Sequence, residues 1–145
     1  MEKLGRTFGL VLYEHRVSRA VSGVIAPGDG PRDRVIVYVN GDKVGVIDKT
    51  HATPATVTVD LEQGDVLQLL VENLGRIDYS QQLKGQQKGI VGNVTVGKDA
   101  VLDGWSAYSL PAALTDEKAK TPQIKDGRTP VLYKGTFGLP GGREQ

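Results

Sequence analysis

The acidic side chains are the first candidates for chemistry. Hydrolysis of a glycosidic bond needs two carboxylates about 5–5.5 Å apart for retention of configuration, or farther apart for inversion. Glu14, Glu72, Asp78 and Asp103 each fall near a strand end or in a loop. Their spacing picks out no pair, because any β protein of this size carries acids at strand ends. The most informative stretch is Leu69-Leu70-Val71-Glu72-Asn73-Leu74-Gly75-Arg76-Ile77-Asp78-Tyr79. An apolar strand ends at Glu72-Asn73, a glycine allows a sharp turn, and Arg76, Asp78 and Tyr79 then project from one loop. Polar groups beside an aromatic face can hold a sugar, hydroxyls by hydrogen bonds and the apolar ring face by stacking. The purely structural alternative is that Arg76 bridges Glu72 or Asp78 and only fixes the loop. Trp105, the single tryptophan, offers a similar choice between a core or inter-domain plug and a ligand platform.

Other chemistries have less support. There is no cysteine, which removes disulfides, thiolate nucleophiles and cysteine-based zinc sites. His15 and His51 lie 36 positions apart without ligand spacing, and solvated histidines are the default expectation. No Gly-x-Ser-x-Gly elbow is present for a serine nucleophile. No Gly-x-Gly-x-x-Gly opens a helix and no Gly-Lys-Ser/Thr occurs, so a phosphate cradle is absent. Gly28-Asp29-Gly30 could lend oxygens to calcium, but it lacks the ordered acid series of an EF-hand and reads first as a plain surface turn. No metal and no cofactor is expected.

Charge and length narrow the field further. Lys plus Arg is 18 against 17 for Asp plus Glu, a net charge of +1, without the cationic excess that binds nucleic acid. The apolar runs, such as Phe8–Tyr13 and Leu67–Val71, are strand-sized and too short to span a bilayer. Met1-Glu2-Lys3-Leu4-Gly5-Arg6 does not read as a signal peptide. The chain of 145 residues fits one domain, which buries roughly 68–70% of its unfolded surface.

The elements that must position these residues follow a period of two. Strands are predicted over Phe8–Glu14, Arg34–Val39, Lys43–Ile47, Thr56–Asp60, Val66–Glu72, Ile90–Val96, Ala100–Leu102 and Trp105–Leu110. Asn40-Gly41 between the second and third is a strong hairpin signal, since both residues tolerate the positive φ of a type I′ turn. In Thr56–Asp60 the valines should point inward and the threonines outward. Three loops stand out: Ala26–Asp33, Leu74–Lys88 and the charged Thr115–Pro130, which resembles a linker. No amphipathic helix is convincing, and short strands with frequent turns indicate an all-β sandwich or jelly roll.

Several of these segments together resemble a known family. They are Val37-Tyr38-Val39-Asn40-Gly41 followed by Val44-Gly45, Leu70 through Tyr79, Lys88-Gly89-Ile90-Val91-Gly92, and Leu102-Asp103-Gly104-Trp105. In this order they are similar to the first galactose-binding-like β domain of the family 35 glycoside hydrolases, the β-galactosidases. The opening, Met1–Gly9 leading to Leu12-Tyr13, resembles that domain's first strand, and Pro130–Phe137 resembles the strand entering the next β domain. Asp78 stands where the family commonly has Asn, Ser80 where it commonly has Gly, and Glu14-His15 where Arg-Thr is usual.

The resemblance implies an all-β, jelly-roll sandwich of galactose-binding-like type over residues 1–113, a linker over 114–130 and a tail over 131–145. It implies a non-catalytic module, because the family's catalytic glutamates lie on a barrel with no counterpart here. The module would pack on that barrel. Tyr79 would touch the galactose, Arg76 and Asp78 would position its loop, and Trp105, grouped with them at the substrate side, would anchor the packing. Family members are commonly secreted, periplasmic or lysosomal. Two other readings stay open: a free-standing module that binds galactosides, and a protein-interaction module in which the strand at 131–139 pairs with another chain, for instance as a homodimer.

Overall fold

The computed structural model describes residues 1–5, 7–49, 56–79, 81–98, 100–110 and Gly138, with the side chain of Gln82 excepted. The chain divides into two compact units, Met1–Ala112 and Ala113–Gln145, and every element named below lies in the first. The linker expected at 114–130, the strand expected at 131–139 apart from Gly138, and His51 fall outside the described residues. Among the described residues no helix is long and apolar enough to cross a membrane.

Among the described residues nine strands form two antiparallel sheets. They are β1 (Gly9–Arg16), β2 (Val21–Pro27), β3 (Arg34–Val39), β4 (Asp42–Asp48), β5 (Thr58–Leu61), β6 (Val66–Asn73), β7 (Val94–Val96), β8 (Ala100–Leu102) and β9 (Ser106–Leu110). The larger sheet has the order β4-β3-β6-β1-β9 and the smaller β5-β2-β7-β8. Valine and isoleucine fill β3 and leucine fills β6, as suits strands inside a sheet. Asn40 and Gly41 both have positive φ, 52° and 85°, so the expected hairpin turn joins β3 to β4. The Asn40 side chain also binds the Asp65 carboxylate and the Val66 amide, both at 2.9 Å, which ties this turn to the start of β6.

The sheets share one core. Val35, Val37, Leu67, Leu69 and Val71 from the larger sheet meet Ile25, Val57, Val59, Leu61, Val94 and Val96 from the smaller. Val57 and Val59 are buried while Thr56 and Thr58 are exposed, the alternation expected from the sequence. The result is a β-sandwich of the expected all-β class.

Three local expectations give way. Strand β2 was not expected, because its sequence is broken by Gly23 and closed by Pro27. Gly23 is required there, since its φ is 142° and a Cβ would lie 2.7 Å from the Gly97 Cα. Strand β2 pairs with β5 through Val21–Val24 and with β7 through Ile25–Pro27, so it bridges two partners. The Ile90–Val96 strand shortens to Val94–Val96, because Gly89 and Gly92 take positive φ and the Val91 and Asn93 carbonyls bind the Asp29 and Gly28 amides. His15 is buried rather than solvated. It pairs in register with the fully buried Leu67, and its ring lies 5.1 Å from the Trp105 ring. The short helical turns Glu2–Leu4 and Gln81–Leu83 lie outside the strand pattern.

Candidate functional site

Strand β6 ends at Asn73, and the residues after it are held by a network from three distant segments. The Asp33 carboxylate, just ahead of β3, accepts the Leu74 amide at 2.9 Å and the Lys88 ammonium at 2.7 and 2.6 Å. Lys49 Nζ stands 3.5 Å from the same carboxylate. Lys88 is only 3% exposed and Asp33 is buried, so the pair stands largely apart from solvent. Burial alone would raise the Asp33 carboxyl. The Lys88 and Leu74 hydrogen bonds and the charges of Lys88 and Lys49 outweigh it, holding the group below the usual aspartate value.

Arg76 forms the second knot. Its guanidinium donates to Glu2 Oε1 at 2.5 Å, to the Gln86 carbonyl at 3.1 Å and to the Thr7 carbonyl at 3.3 Å. Asn73 Nδ2 reaches the same Thr7 carbonyl at 2.9 Å, and the Lys88 amide donates to Glu2. Burial opposes ionisation of Glu2, but the bonds from Arg76 and Lys88 prevail and bring its pKa from 4.5 to about 2. Arg76 therefore pairs with neither Glu72 nor Asp78, the partners considered from sequence. Glu72 pairs with Arg34, its register partner on β3.

The loop so fastened carries Asp78 and Tyr79, both exposed. The Ile77 amide donates to Gln86 Oε1 at 3.1 Å and closes the base of the excursion over 78–85. An open cleft of about 360 Å³ runs beside it, lined by Leu74, Arg76, Ile77, Gln86, Lys49 and Lys88.

Trp105 is elsewhere. It packs on the shared core, stacks on His15 and donates Nε1–H to the Leu102 carbonyl at 2.9 Å. Gly9 pairs with Asn73 at one end of β1, and His15 pairs with Leu67 near the other. Six residues of strand, roughly 20 Å, separate the two places. The structure thus brings Arg76, Asp78 and Tyr79 onto one loop and leaves Trp105 at the opposite end of the sandwich.

The candidate acids also disperse. Glu14 accepts from Gln68 Nε2 at 2.8 Å, and Gln68 lies four residues, roughly 13 Å, from Glu72 along β6. Asp103 follows β8, near the Trp105 end. Asp29 forms an ion pair with Arg32, while the Gly28 and Gly30 amides bind backbone carbonyls. Among the described residues no three His, Cys, Asp or Glu side chains gather in a metal-holding group.

Residues 1–111 match the family described as "Beta-galactosidase, first all-beta domain". The chain belongs to this family. β-Galactosidase of Felis catus is 29% identical over 154 residues, covering 93% of this chain and 22% of that protein. β-Galactosidase of Xanthomonas manihotis is 30% identical, covering 96% of this chain and 23% of the relative. β-Galactosidase-1-like protein 2 of Homo sapiens is 37% identical over 108 residues, covering 73% of this chain and 16% of the relative. This β-galactosidase all-β domain therefore spans less than a quarter of the length of these curated relatives. In it, Glu2, Asp33 and Lys88 are the residues that sequence reasoning missed. No local pattern marks them, because Glu2 meets Arg76 across 74 positions and Asp33 meets Lys88 across 55.

Proposed function

We propose that this all-β domain acts as the accessory domain of a β-galactosidase, packing on the catalytic barrel and completing the galactose pocket with Tyr79. The observation that carries the reading is the pinned loop. Asp33–Lys88 and Glu2–Arg76 fix its base, while Tyr79 is left 88% exposed. A fixed backbone with an unsatisfied aromatic suits a contact completed by another surface, because little ordering entropy is lost on docking. Arg76 and Asp78 position the loop, Arg76 through the bonds above and Asp78 as the residue next to Tyr79. Trp105, at the opposite end, packs on the domain's own core and lies outside this contact. Bond cleavage belongs to the barrel.

The isolated chain, purified to homogeneity, is expected to release no product from an aryl galactoside. Activity that survives purification and is lost in Glu72→Gln or Asp78→Asn would overturn the reading. In the full-length polypeptide, Tyr79→Ala should raise KM with the isolated domain's stability unchanged. The cleft beside Arg76 favours one further reading, a module that binds galactosides unaided. Amide shifts around Tyr79 on titration of the chain with galactose would support it, and silence at millimolar sugar would remove it.

A further inference from the structure

A sheet edge offers unpaired backbone N–H and C=O groups to any passing strand, and folded proteins guard such edges with charge, shortness or cover. Among the described residues four strands stand at sheet edges: β4 and β9 in the larger sheet, β5 and β8 in the smaller. β4 exposes Val44 but carries Asp42, Lys43 and Asp48 within seven residues. β5 has four residues, with Asp60 exposed among them, and β8, with Val101 exposed, has three. β9 has none of these guards. Its five residues, Ser106-Ala107-Tyr108-Ser109-Leu110, hold no charge and no proline, and all but the half-buried Ser109 are exposed. Among the described residues β9 pairs with β1 alone.

We propose that β9 is the edge through which two copies of this chain pair, antiparallel, about a two-fold axis at Tyr108. The inference stands apart from the accessory-domain reading. A two-fold axis sets each residue against the one equally far from it in the other copy. Tyr108 then faces the partner's Tyr108, Ser106 faces the partner's Leu110, and Ala107 faces the partner's Ser109. A charge on such an axis would meet its own sign, so an uncharged strand is what self-pairing requires. Among the β1 residues in register with β9, Glu14 alone is charged, and Gln68 Nε2 binds it at 2.8 Å. The whole chain carries a net charge of +1, so two copies approach without strong repulsion.

Side-chain placement favours the same partner. Register sets Val46, Ile36, Leu70, Leu12 and Tyr108 in one row across the outside of the larger sheet. Leu70 is buried, Val46, Ile36 and Leu12 are half-buried and Tyr108 is 49% exposed, so the row ends on an uncovered ring at the edge. A second copy continues the row, because aromatic rings directly opposite on neighbouring strands make contact. A strand of unrelated sequence would form the same backbone bonds without that continuation. Five residue pairs make a small interface, below about 1,200 Å² in total, so the dimer is weak and forms at about 0.1–1 mM chain.

Sedimentation velocity of the chain from about 10 μM to about 1 mM should show a monomer passing to a dimer. Amide shifts that move with concentration should centre on residues 106–110. Tyr108→Lys sets two ammonium groups on the axis and should weaken self-association by about tenfold or more, as should Tyr108→Glu. Mixing the two variants should restore association, since unlike charges then meet at that position. A monomer throughout the range would overturn the proposal. So would a dimer that either variant leaves intact, or shifts centred on β4, β5 or β8. Variants that dissociate the dimer yet stay apart on mixing would overturn the axis at Tyr108, and the proposal with it. Should either variant fail to fold, the shifts of the unaltered chain decide alone.

Discussion

Lys88 and Asp33, 55 positions apart, meet inside the domain with the ammonium 2.7 and 2.6 Å from the two carboxylate oxygens. Two desolvated ions stabilise a fold only while they have each other, because removing one leaves the other charged and without compensation. This pair joins the start of β3 to the segment ahead of β7 and, through the Leu74 amide, to the end of β6. Lys88→Met is therefore expected to cost about 3–5 kcal/mol, and replacing both ions with apolar residues less than the single change. Urea unfolding of the three variants would check the order. Equal losses in the single and double variants would contradict it.

Acid should loosen the same end. Asp33 and Glu2 have folded-state pKa values below their unfolded ones, so their stabilisation is fully present above the unfolded values near 4. It is lost as the pH falls through the folded values, in the case of Glu2 between 4.5 and about 2. Melting temperature should fall across that window. Glu2→Gln should flatten the fall, whereas an unchanged slope would place the acid sensitivity elsewhere.

Gly23→Ala tests the closeness of β2 to Gly97. The added methyl would lie 2.7 Å from a backbone atom at a φ of 142°, so no flexible side chain can yield. A loss of about 1–3 kcal/mol is expected in denaturant unfolding.

The lone tryptophan reports on one end of the molecule only. Tyr79→Ala should leave Trp105 emission unchanged and stability within about 0.5 kcal/mol, as befits an exposed side chain. His15→Ala should shift that emission through the lost ring contact. Trp105→Ala should cost about 2–4 kcal/mol, below the full-burial range because the ring is half-buried. A shift in Trp105 emission on Tyr79 substitution would mean that the two ends communicate.

Much of the sandwich was legible because period-two alternation is a local property. Val57 and Val59 face inward with Thr58 outward, and Asn40-Gly41 turns as its φ tolerance requires. The loop carrying Arg76, Asp78 and Tyr79 was likewise visible in the run after β6. Strand β2 was not, since Gly23 and Pro27 read as breakers until a neighbouring backbone explains the glycine. What holds the loop was hidden for a different reason. A carboxylate's partner is set by distance in space, so Arg76 could be given Glu72 or Asp78 from sequence, while the fold gives it Glu2. His15 shows the same limit, a polar residue whose inward register against Leu67 outweighs its usual place in water. The order of residues determined most of the strands, their faces and the exposed tyrosine loop. Only the tertiary structure decided which charges are neutralised together and that Trp105 lies a strand's length from Tyr79's loop, because both depend on pairings between segments distant along the chain.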